Sequence, residues 1–161
     1  MNMGKAFQEQ IPNNHCFGCG PENPFGLQIK SHWQKENTSI AHFTPSAHHS
    51  AGPLHFLNGG IISTIIDCHC VCTAIAKGYQ MQDRGIGDGD TIWFATGHLE
   101  VRFIKPVPIN QEITLLATIE EAKENKIVVS CALYAGDSLC CESDVVAVKV
   151  PNQWFEPRAT D

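Results

Sequence analysis

The sequence predicts an α+β fold in which one long buried helix lies against an antiparallel sheet. Two observations carry that prediction. Residues 60–76 are apolar or small almost all round, interrupted only by Asp67 and His69, and a segment apolar on every side is buried rather than amphipathic. From Thr91 onward the chain alternates strand and turn patterns, and short connections between successive strands require antiparallel pairing. A lone helix is buried on all sides when a curved sheet wraps it and a further surface, such as a second copy of the chain, covers the remainder.

The elements follow in order. Residues 1–14 are polar with little periodicity and read as an irregular lead-in. A glycine- and proline-dense loop, His15-Cys16-Phe17-Gly18-Cys19-Gly20-Pro21-Glu22-Asn23-Pro24-Phe25-Gly26-Leu27, comes next. Residues 27–35 and 38–43 read as two short strands around a turn at Asn37. A second loop, 44–57, carries His48, His49 and His55. The doubled isoleucines of the central segment favour a strand locally. Its length and its Asn58 cap argue for a helix instead, ending at Ala76-Lys77-Gly78. Residues 78–91 read as a flexible loop; Asp88 and Asp90 lack the ligand pattern of a calcium loop. In the next strand Leu99, Val101 and Phe103 alternate with His98, Glu100 and Arg102. Strands over 113–119, 127–133 and 139–150 follow, turned at Glu124-Asn125 and Gly136-Asp137. The tail, 152–161, is expected to be poorly ordered, with Trp154 and Phe155 as candidates to dock.

With 161 residues, 43% hydrophobic and 17% charged, the chain fits one globular domain over 1–161 with a sound core. Residues 1–26 serve as its irregular lead-in and loop. A net charge of −6 argues against a nucleic-acid partner, which needs a basic field. A few local cations suffice for an anionic small molecule. No apolar run is expected to cross a bilayer and the N-terminus has no signal-like apolar stretch, so a cytoplasmic location without membrane contact is expected. The eight cysteines are then expected as reduced thiols, those of the helix behaving as small hydrophobes.

Chemistry concentrates at the start of the helix. Asn58 is a good N-cap, and Gly59 and Gly60 let a ligand approach the backbone closely. The first N–H groups of a helix have no internal partner. About two turns further in, Asp67 is costly in apolar surroundings unless paired or used. Free amides plus a carboxylate make a candidate catalytic pair, able to polarise an acyl carbonyl and to supply a base or nucleophile. His15-Cys16-x-x-Cys19 has half the ligands of a zinc site. No second Cys-x-x-Cys pair exists, so a structural loop is favoured and no metal is expected. His69 falls on a different helix face from Asp67, as a buried contact.

Three stretches together resemble the hotdog-fold thioesterases, in the phenylacetate-pathway-like branch of the 4-hydroxybenzoyl-CoA thioesterase superfamily. They are Cys16-Phe17-Gly18-Cys19-Gly20 followed by Asn23-Pro24-Phe25-Gly26-Leu27; Asn58-Gly59-Gly60 with Asp67 seven residues on; and Ala95-Thr96 followed by residues 99–108. The resemblance implies a hotdog fold, a long central helix wrapped by a curved antiparallel sheet of five or six strands. It implies an acyl-CoA thioesterase needing no cofactor, coenzyme A being part of the substrate. It implies a homodimer or dimer of dimers with sites at the subunit interface. Gly60, or its neighbour Gly59, is then the carbonyl-polarising donor and Asp67 the nucleophile or base. Asn58 stands where the family often has a histidine and would orient water or substrate. His49 and His55 are candidate substrate contacts, and Arg102 and Lys105 candidates for the coenzyme A phosphates. A hotdog dehydratase pairing His55 with Asp67, or a non-catalytic acyl-CoA-binding protein, are the alternatives.

Overall fold

The computed structural model describes residues 4–156. After a short helix α1 (Phe7–Gln10) come strands β1 (Lys30–Lys35) and β2 (Thr38–Phe43), a 3-10 turn at Ala47–His49 and the long helix α2 (Gly59–Gln80). Strands β3 (Phe94–Phe103), β4 (Ile113–Ala122), β5 (Lys126–Ala135) and β6 (Ser138–Lys149) complete the fold. They form one curved antiparallel sheet in the order β1-β2-β4-β5-β6-β3, with α2 as its central helix. This is the predicted architecture.

Alternation along β4, β5 and β6 aims Ile113, Leu115, Ile127, Val129, Leu133 and Val145 inward, each fully buried. From α2, Ile62, Ile65, Ile66 and Ile75 meet them. Burying each such side chain contributes roughly 1.5–3 kcal/mol, which overrides the local strand preference of the paired isoleucines. By length and composition alone α2 would be able to cross a membrane, contrary to the expectation that no run is long enough; most of it is instead buried by the sheet.

The structure departs from the sequence expectations at three further places. The irregular lead-in contains α1, whose Phe7 packs on Trp33 with ring centroids 5.1 Å apart. The buried Gln8 amide pairs with Ser31, donating to its Oγ (2.8 Å) and accepting from its N–H (2.8 Å). Helix α2 continues past Gly78 to Gln80, because that glycine serves packing: a Cβ there would lie 2.9 Å from the Phe94 ring and 3.0 Å from Ile92. The following turns are tied down by Arg84, which donates to the carbonyls of Asp88 and Asp90 and sits over the Tyr79 ring. In the tail, Phe155 docks on Trp93 while Trp154 stays exposed; residues 157–161 lie outside the described residues.

Candidate active site

Asn58 sits in extended backbone at the head of α2, and its Oδ1 accepts the N–H of Gly60 at 2.8 Å and of Ile61 at 3.2 Å. The cap therefore consumes the Gly60 amide, the donor first expected from the sequence, and the Asn58 oxygen is not free to orient water. A side-chain cap reaches the second and third N–H groups of a helix and leaves the first. That first group is Gly59, whose N–H has no acceptor among the described residues. Gly59 opens onto an apolar cavity of about 330 Å³ lined by Phe56, Ile62, Phe103, Val107 and the stem of Lys105. The Phe103 ring stands 3.8 Å from where a Gly59 side chain would begin.

Most of α2 is buried, but Gly60, Ser63, Thr64, Asp67 and Val71 form a less covered stripe at helical spacing. Asp67 is half-buried there, and the Thr96 hydroxyl at the start of β3 donates to its Oδ1 at 2.6 Å. Burial raises the Asp67 pKa above its ordinary value; the Thr96 bond works against this and nearby Cys19 adds to it. The carboxyl is thus poised closer to neutrality than a solvated aspartate, as a general base requires. Eight residues separate Gly59 from Asp67. At 1.5 Å per residue they lie about 12 Å apart along the helix axis.

The remaining candidates are scattered. Lys105 is exposed at the rim of the Gly59 cavity. Arg102 is held by Glu100 (2.7 Å) and Asp144 (2.9 Å), so its charge is already balanced within the sheet. His49 accepts the Ser46 N–H on Nδ1 (3.0 Å), stacks on Phe43 and takes the Asn58 N–H on its carbonyl (3.0 Å). It builds the turn before α2. The His55 side chain is exposed, and its carbonyl is fixed by the Ile109 N–H (2.9 Å). His69 is the buried contact expected of it, with Nδ1 2.7 Å from Ser31 Oγ and Nε2 3.4 Å from Ser39 Oγ.

Two features escaped sequence reasoning. One is Thr96, part of a recognisable stretch but twenty-nine residues from its partner Asp67. The other is the setting of the 15–27 loop. Cys16 and Cys19 lie against α2, with Cys16 Sγ 3.7 Å from Cys68 Sγ and Cys19 Sγ 3.7 Å from Cys72 Sγ. The four-residue spacing of Cys68 and Cys72 puts both on one helix face, a signal present in the sequence.

An unpartnered amide at an apolar cavity and a half-buried carboxylate can polarise a carbonyl and deliver water or a carboxylate to it. Comparisons with known proteins show the family to which the chain belongs. The family model described as "Thioesterase superfamily" matches residues 54–142. A thioesterase superfamily protein of Shewanella loihica PV-4 superposes with a TM-score of 0.64 at 32% identity, covering 86% of this chain and 96% of that one. The E. coli PaaI protein from the phenylacetic acid degradation operon shares the fold, with a TM-score of 0.63 at 12% identity over 78% of this chain and 81% of its own. The Rattus norvegicus acyl-coenzyme A thioesterase THEM4 is 22% identical over 88% of this chain. The chain spans 55% of that relative's length.

Proposed function

Because the chain belongs to the thioesterase superfamily, we propose that it hydrolyses an acyl- or aryl-CoA thioester to the free acid and coenzyme A. The Gly59 N–H donates to the thioester carbonyl oxygen as negative charge develops there. Asp67 removes a proton from water as the water attacks, or attacks the carbonyl itself to form an anhydride that water then cleaves, releasing the acid and restoring the carboxylate. In either case the sulfur leaves with the bonding pair and takes up the proton given up by water, as the thiol. Water, one carboxylate and one amide suffice, so no cofactor is invoked. The exposed ammonium of Lys105 is suited to the coenzyme A phosphates, and the Phe56–Phe103 cavity to an apolar part of the substrate.

The observation that carries this reading is the pairing of a spare helix-start amide with a carboxylate whose pKa burial raises. Their separation of about 12 Å supports a homodimer in which Gly59 of one copy and Asp67 of the other serve one carbonyl. Strand β3 lies at the sheet edge and exposes Leu99 and Phe103, a suitable surface for a second copy.

The test follows thiol release across aryl-, short-, medium- and long-chain acyl-CoAs for the native chain and Asp67→Asn. Release by the native chain, reduced about 10²- to 10⁴-fold in the variant, is expected. Full activity in Asp67→Asn refutes the assignment of that residue. No release from any thioester refutes the activity, and hydration of an enoyl thioester without thiol release indicates a dehydratase.

A further inference from the structure

We propose that Cys16, Cys19 and Cys68 form a structural site for a zinc-class divalent ion that clamps the N-terminal loop onto α2. The sulfurs of Cys16, Cys19 and Cys68 all lie within 4.8 Å of one another. Cys16 Sγ lies 3.7 Å from Cys68 Sγ, while Cys72 Sγ, 3.7 Å from Cys19, flanks the group from the next helical turn. Zinc bound tetrahedrally at about 2.3 Å holds its thiolates roughly 3.8 Å apart. The 3.7 Å Cys16–Cys68 pair matches that edge and is far from the roughly 2.05 Å of a disulfide.

The chain around the thiols is built to hold them. The Cys-x-x-Cys turn closes through Gly20 N–H to Cys16 C=O at 2.8 Å. Gly18 has no room for a side chain, since a Cβ would overlap Cys68 Sγ and lie 2.9 Å from Thr64. Asn14 is buried; its Oδ1 accepts the Cys16 N–H at 3.2 Å and its Nδ2 donates to Cys19 Sγ at 3.8 Å. Such an outer partner orients a ligating sulfur and stabilises its charge. Partly exposed Cys16 leaves an entry path. Thiolate-rich tetrahedral sites select zinc among the abundant divalent ions, whereas magnesium and calcium take oxygen. These positions lie off the Gly59 cavity, and Cys68 adjoins Asp67 in the chain, so the role is to hold loop and helix in register beside the carboxylate. The clamp stands or falls independently of the hydrolytic reading.

The full chain, reduced and stripped with a chelator, is titrated with Zn²⁺ against a chromophoric competitor, then with Co²⁺ while its absorption is read. About one ion per chain is expected, with the thiolate-to-cobalt charge-transfer bands and intense visible bands of a tetrahedral sulfur-rich site. A higher melting temperature and slower proteolysis within the 15–27 loop should accompany metal. Binding should fall to background in Cys19→Ser and in Cys68→Ser and persist in Cys131→Ser. The proposal is overturned if the native chain binds less than stoichiometric metal, if the cobalt spectrum reports nitrogen and oxygen ligands only, or if Cys19→Ser binds as the native chain does. Recovery of only six free thiols from the untreated chain, with metal binding absent until reduction and unaffected by Cys16→Ser, identifies a disulfide pair instead and also overturns it. The cobalt spectrum of the native chain decides even where a variant fails to fold.

Discussion

His69 makes the stability of this fold sensitive to acid. Its ring is fully buried on α2 between Ser31 and Ser39, in a chain of hydrogen bonds that continues through Gln8 at one end and Thr73 (2.6 Å from Ser39) at the other. Burial lowers its pKa from the ordinary 6.5 to about 3. Between those values the unfolded chain binds a proton that the folded chain refuses. The contribution is therefore fully present above about pH 6.5 and is lost as pH falls, at up to about 1.4 kcal/mol per unit. From pH 7.5 to pH 5.0 the loss from this one residue is about 2 kcal/mol, which for a domain of this size lowers the melting temperature by roughly 4–8 °C. His69→Gln retains a donor and an acceptor for the two serines but cannot be protonated. It costs stability at pH 7.5, by about 1–3 kcal/mol, and its acid slope should be flatter. Thermal denaturation of both proteins between pH 7.5 and 5.0 makes the comparison; parallel slopes would refute the assignment of the acid sensitivity to His69.

Two other substitutions test the site and its support. Thr96→Val deletes the hydroxyl that holds the Asp67 pKa down. The carboxyl should then lose its proton at higher pH, and the rising limb of kcat/KM against pH should move in that direction with activity below it reduced severalfold. An unmoved limb would mean that Asp67 is not the titrating base. Gly18→Ala drives a methyl into Cys68 Sγ and should destabilise the chain by about 1–3 kcal/mol, lowering the melting temperature by roughly 2–4 °C per kcal/mol; an unchanged melting temperature would mean that the loop yields freely.

What the sequence revealed follows from how local each signal is. The helix and the four long strands were legible because periodicity and turn residues report them within a dozen residues. Gln8 in α1 was not, since its reason to be ordered is Ser31, twenty-three residues away. Glycine misled twice for one reason. At Gly78 it marks close packing by Phe94, and at Gly60 the amide it frees is taken by Asn58; neither is encoded in the residue itself. Asp67 stood out because a lone charge in an apolar run needs an explanation. Its partner Thr96 did not, because a threonine in a strand needs none.

The separation of Gly59 from Asp67 allows a sharper test than either substitution alone. A carbonyl oxygen accepting one hydrogen bond and a carbon approached by a nucleophile both lie about 3 Å from the protein groups that serve them. Two such groups on one site therefore stand within some 6–7 Å, about half the distance along α2. A twofold dimer that sets two copies of α2 antiparallel, with its axis near Ser63, brings each Gly59 opposite the other chain's Asp67. Gly59→Pro removes the N–H, and proline suits the first position of a helix, the extended Asn58 before it being compatible. Neither Gly59→Pro nor Asp67→Asn homodimers should be active. When the two variants are unfolded together and refolded, about half the dimers are mixed, and each mixed dimer has one intact and one doubly damaged site. Activity should return to about a quarter of the native value by this counting, which follows from the reciprocal geometry of a twofold interface. If both groups served a single site within one chain, no mixture would exceed its parents, and activity at the parental level after verified co-assembly would sink the shared-site mechanism.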